Sequence, residues 1–90
     1  MAWRIEFDPA ARKELDKLGR EVARRLLRFL ADRLAPLDNP RSLGEALKGA
    51  KLGELWKYRV GDYRIIADIQ DTAICILVVR VGNRREVYKR

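Results

Sequence analysis

Trp3, Ile5 and Phe7 alternate with Arg4 and Glu6, the period of two that marks a half-buried strand. Asp8-Pro9 follows at once, supplying an N-cap carboxylate and a proline at the first helical position. Ala11, Leu15 and Leu18 then recur at four- and three-residue spacings and mark one helix face, which Gly19 brings to an end. A second, longer helix is predicted from Arg20 or Glu21 to Ala35. Its inward face is Val22, Leu26, Phe29 or Leu30, and Leu34. On its outer face Glu21 and Arg25, and Arg28 and Asp32, stand as opposite charges at i,i+4. Pro36 ends that helix and Leu37-Asp38-Asn39-Pro40 reads as a turn.

From Arg41 to Gly53 no period dominates. Leu43, Ala46 and Leu47 suit a single helical turn, whereas Gly44, Gly49 and Gly53 predict a mostly irregular segment. Leu55–Val60 becomes strand-like, Gly61-Asp62 suits a hairpin turn, and Tyr63–Gln70 is the returning strand. Asp71-Thr72 is another turn. Ala73–Val81 is apolar almost throughout, as expected of an inner strand covered on both faces. Gly82-Asn83 ends it, and Glu86-Val87-Tyr88 adds a short extension. The predicted fold class is α+β: an N-terminal strand, a two-helix hairpin, then an antiparallel three-stranded meander with the helices on one face.

Composition narrows this picture. Ninety residues, with no repeat or linker, make one domain spanning 1–90. The formal charge is +7, and the last twenty residues carry five basic and two acidic side chains. Such a chain attracts polyanions: RNA, DNA, an anionic membrane or an acidic protein. Cys75 is the only cysteine; its apolar surroundings predict a buried, inert thiol, and a single cysteine fits a reducing cytoplasm. The N-terminus lacks the apolar core of a signal peptide, and no run approaches a membrane span. A cytoplasmic location is expected.

Candidate chemistry gathers in the last third. Lys57 and Arg59 are two apart on one strand and share a face, while Trp56, Tyr58 and Val60 take the other. The Gly61-Asp62 turn returns Arg64 beside them; Arg84 and Tyr88 follow just beyond the inner strand. Each alone reads as an ordinary solvated side chain. Together they crowd like charges on one sheet face, which is destabilising without an anion to compensate. The chain has no histidine, which removes Ser-His-Asp and Cys-His chemistry and the usual zinc sites. Asp68, mid-strand, and Asp71, in a turn, are poorly placed as a Mg²⁺ pair, and no glycine run has phosphate-loop spacing. No cofactor is expected.

RNA brings its own nucleophile, since its 2′-hydroxyl can attack the adjacent phosphate and leave a 2′,3′-cyclic phosphate. The protein then supplies a base, an acid and positive charge for the transition state. Arginine serves the last role and cannot serve the first. Lys57 or Tyr88 can lose a proton, and the residues alone do not choose between them.

The stretches Leu55-Trp56-Lys57-Tyr58-Arg59-Val60, Gly61-Asp62-Tyr63-Arg64-Ile65-Ile66 and Val81-Gly82-Asn83-Arg84-Arg85-Glu86-Val87-Tyr88 resemble the RelE toxins of bacterial and archaeal toxin–antitoxin pairs. Phe7-Asp8-Pro9-Ala10-Ala11 and Leu18-Gly19 extend the resemblance over the whole chain. It implies a microbial-RNase-like fold, ribosome-dependent cleavage of mRNA that inhibits translation, and a cognate antitoxin that wraps the toxin. By motif position it implies catalytic or phosphate-binding roles for Lys57, Arg59, Arg64, Arg84 and Tyr88. Arg59 stands where some members have a second lysine and Asn83 where many have histidine. Spacing between the last arginine and the tyrosine varies in the family, so Arg85 competes with Arg84. A ParE-type toxin shares the fold but poisons DNA gyrase without cutting RNA, and needs neither Lys57 nor Tyr88. A non-catalytic basic module would bind RNA through charge alone.

Overall fold

In the computed structural model, residues 2–47 and 55–83 are described. The first strand, β1 (Arg4–Phe7), alternates exposed and half-buried positions as its period requires. Asp8 accepts a hydrogen bond from Ala10 N at 3.1 Å, and Pro9 opens helix α1 (Pro9–Lys17). The pairing of a carboxylate cap with a proline that has no N–H to satisfy fixes this start. Gly19 separates α1 from α2 (Arg20–Arg28). From Phe29 the winding widens to π through Leu34, closed by Ala35 N donating to Leu30 O at 2.8 Å. Leu26, Leu30 and Leu34 are buried on one stripe, and Val22 and Phe29 pack against the core from its margin.

Asn39 caps a 3₁₀ turn at Pro40–Leu43 through a bond from Arg41 N. A two-residue strand, β2 (Glu45–Ala46), follows, then β3 (Leu55–Val60), β4 (Tyr63–Gln70) and β5 (Cys75–Asn83). The sheet order is β1-β5-β4-β3-β2. Val60 pairs with Tyr63 across Gly61-Asp62, and Gly61 has φ +61°, the sign that a tight hairpin needs at its first loop position. Tyr58, Ile65, Ala67, Ile76, Val78 and Val81 face the helices and close the core against Ala11, Leu15, Leu26, Leu30 and Leu34.

The two-helix, antiparallel-meander plan is present, with differences of detail. The N-terminal strand joins the sheet, running parallel to β5 from Arg4↔Cys75 to Phe7↔Val78, so the sheet is mixed. Strand β2 adds a fifth member. Strand β5 starts at Cys75, after a turn that includes Ala73 and Ile74, and it runs through Gly82-Asn83. Between Ile66 and Ala67 the β4–β5 register shifts, pairing Ile66 with Arg80 but Ala67 with Val78. This bulge resets the alternation, so that Val78 and Val81 both reach the core and Arg80 stays out of it. Neither helical charge pair reaches ion-pair distance among the described residues. The Arg25 guanidinium lies over Gly61, 2.6 Å from where a Cβ would stand, and π winding takes Asp32 out of i+4 register with Arg28. The extension predicted at Glu86–Tyr88 lies outside the described residues. Cys75 is buried, and burial pushes its thiol up. None of the described helices is long and apolar enough to cross a membrane.

Candidate active site

On β3, Tyr58 points to the core and its neighbours Lys57 and Arg59 to the opposite face. Across the hairpin Arg59 stands directly opposite Arg64, and Lys57 opposite Ile66. Lys57, Arg59 and Arg64, with Leu43 and Glu45, line a hollow of about 170 Å³ on the face turned away from the helices. Three of the five predicted site residues therefore share one concavity. Arg84 and Tyr88 lie outside the described residues.

Arg64 is the unusual member. It is only 4% exposed, and its guanidinium donates to Tyr63 O at 3.3 Å. Among the described residues no carboxylate lies at ion-pair distance from it. A buried cation without a counter-charge is costly, and Arg59 directly across adds repulsion. An anion entering the hollow relieves both. Lys57, a quarter exposed, pairs with Glu45 at 3.2 Å, so among the described residues the lining carries three positive charges and one negative.

The floor under these side chains is rigid. Tyr58 is fully buried and its hydroxyl donates to Pro40 O at 2.9 Å. Burial pushes this phenol from 10.0 up to about 12, against a smaller downward pull from Arg41. Arg41 holds Asp71 through two hydrogen bonds, at 3.1 and 2.7 Å, and lies 5.9 Å over the Trp56 ring. That bond draws the Asp71 carboxyl below its usual range. Asp68 accepts from Gln70; among the described residues no three acidic, cysteine or histidine groups gather to hold a metal.

Glu45 and Leu43 escaped the sequence reading. A two-residue strand has no period to detect, and the glycines around it argued for irregular chain. Gly44 was a usable signal with hindsight of geometry only: a Cβ there would meet Tyr58 Cε1 at 2.7 Å and Lys57 O at 3.0 Å. The missing side chain lets β2 lie against β3 and pair Glu45 with Lys57.

A sheet covered by two helices on one face, with a cationic hollow on the other, makes this a small α+β domain with an anion-facing surface. The chain belongs to the family described as the ParE toxin of type II toxin–antitoxin systems, whose model matches residues 5–88, within the RelE/ParE superfamily. It is 33% identical over 90 residues to the mRNA interferase toxin RelE of Escherichia coli, covering 98% of this chain and 92% of that protein. It is 27% identical to toxin RelG of Mycobacterium tuberculosis, over the full length of both. Among solved structures, the RelBE2 toxin–antitoxin complex of M. tuberculosis superposes with a TM-score of 0.81 at 25% identity, covering 93% of each chain. A mutant of E. coli RelE in the free state gives 0.74 at 30% identity, covering 98% of this chain and 92% of the other.

Proposed function

We propose that this toxin is an mRNA endoribonuclease that acts on the ribosome in the cytoplasm and is silenced by a cognate antitoxin. The observation that carries the reading is Arg64, a buried cation with no described acidic partner, facing the same hollow as Lys57 and Arg59. A phosphodiester supplies the missing charge. Guanidinium groups match two phosphate oxygens at once and keep their charge throughout the reaction. Charge stabilisation of this kind commonly dominates catalysis. The relatives named mRNA interferase RelE support the same chemistry, and the structures solved with antitoxins support the partner.

In this reading Arg59 and Arg64 grip the scissile phosphate and stabilise the pentacoordinate transition state, with Lys57 adding positive charge. The likeness to mRNA interferase RelE, which covers 98% of this chain, supports catalytic or phosphate-binding roles for Arg84 and Tyr88 as well. The 2′-hydroxyl attacks, the P–O5′ bond breaks, and the products are a 2′,3′-cyclic phosphate and a 5′-hydroxyl.

Purified toxin added to programmed ribosomes should cleave the mRNA and leave cyclic phosphate ends. Arg84→Ala or Tyr88→Ala should slow cleavage by about 10²- to 10³-fold; full activity in both variants removes those residues from the site. The family also carries the ParE name, whose gyrase poisoning predicts DNA damage with intact mRNA. Translational arrest with cut mRNA, after expression without antitoxin, separates the two.

A further inference from the structure

A lone exposed leucine is ordinary, but Leu43 has an unusual seat. Among the described residues that line the cationic hollow it is the only apolar side chain, and it is 41% exposed. The chain is braced on both sides of it. Before it, Pro40 O accepts from the buried Tyr58 hydroxyl at 2.9 Å, and Asn39 accepts from Arg41 N at 3.1 Å and from Ser42 Oγ at 2.8 Å. After it, Gly44 N donates to Arg41 O at 3.2 Å, Gly44 packs against the Tyr58 ring, and Glu45 pairs with Lys57 in the β2–β3 ladder. The aliphatic wall is therefore set before any ligand arrives, which removes the cost of ordering it on binding.

Resting on the ribonuclease reading, we propose that Leu43 is the wall on which the nucleobase next to the scissile phosphate packs, and that it favours a purine there. A cationic hollow with one apolar side matches a ligand charged at one end and flat and apolar at the other. A nucleotide is such a ligand: Arg59 and Arg64 take the phosphate, and the face of the attached base covers Leu43. Leucine has no donor or acceptor with which to read a base edge. It discriminates only through the area it removes from water, and the two rings of a purine cover more than the single ring of a pyrimidine. An acidic peptide also satisfies the cations, but its carboxylates stand on flexible stems and bring no flat surface to the wall.

The test is cleavage on programmed ribosomes at subsaturating toxin, so that binding counts in the rate. The mRNAs carry a purine, a pyrimidine or an abasic residue at each nucleotide flanking the scissile phosphate in turn. At one of those positions the parent should cut the abasic mRNA about five- to tenfold more slowly than the purine mRNA. Leu43→Ala should cut all three within about twofold of one another there. Leu43→Met, which keeps an apolar wall of similar volume, should restore the order purine, pyrimidine, abasic. Partial misfolding of Leu43→Ala would slow every substrate alike and preserve the parent's ratio, so a flattened ratio reports on the wall itself. The proposal is overturned if the parent cuts all three equally at both positions, or if Leu43→Ala keeps the parent's ratio. Weaker binding of the antitoxin by Leu43→Ala, with that ratio unchanged, also overturns it and gives the wall to the protein partner. If the parent leaves ribosomal mRNA intact, the ribonuclease reading fails first and takes the wall with it; if the parent cuts but the ratio ignores Leu43, only the wall is lost.

Discussion

At the scale of single residues, Tyr58 couples the fold to pH. Its phenol titrates at 10.0 in ordinary surroundings and at about 12 in the fold, so the folded state holds its proton more tightly than the unfolded chain. Its contribution to stability is complete below pH 10 and is lost as pH rises from there through 12. Denaturation midpoints measured across that window should fall more steeply for the parent than for Tyr58→Phe. At neutral pH the same variant should lose about 1–3 kcal/mol, because Pro40 O is left without its donor. Alternation in the sequence put Tyr58 on the strand face opposite Lys57 and Arg59. Its partner eighteen residues upstream was invisible, because the intervening chain has no regular period.

Whole elements were legible where they were long enough to repeat. The bounds of β3 and β4 follow from alternation and their two-residue turn, and Asp8-Pro9 announced α1. Partner choice was less legible, since alternation in β1 names its buried face but not its neighbour. The β4–β5 bulge was hidden for a related reason: a continuous apolar run reads the same before and after a change of phase. Strand β2 was missed because two residues carry no pattern, yet it positions Glu45. Adding a methyl at Gly44 should therefore act on the element. Tyr58 is pinned by burial and by Pro40, so it cannot yield to a Cβ at 2.7 Å. Gly44→Ala should lower stability by about 1–3 kcal/mol and displace β2, reducing cleavage as well as the melting temperature. A variant with parental melting and parental cleavage would show that β2 tolerates the contact.

For the molecule as a whole, the charge of +7 sets how it meets RNA. Binding of uncleavable single-stranded RNA should weaken as salt rises, with a log–log slope on the order of −2 if the three cations of the hollow carry it. Arg59→Ala, at an exposed position, should make that slope shallower while leaving thermal stability nearly unchanged. A slope indifferent to Arg59 would place the RNA elsewhere. The spacing of Lys57, Arg59 and Arg64 made their shared cationic face readable in advance. Its burial was not, because the depth at Arg64 depends on how β3, β4 and β5 are laid together.

Strand β1 stops pairing at Phe7↔Val78, yet β5 continues to Asn83. The backbone N–H of Val81 donates to Glu14 Oε1 at 3.0 Å, while the other carboxylate oxygen receives Arg80. A bare strand border invites foreign chains to zip on and seed aggregates. Here a helix-borne carboxylate plugs the donor just where the protective neighbour gives out, so the toxin carries its own stopper on that flank.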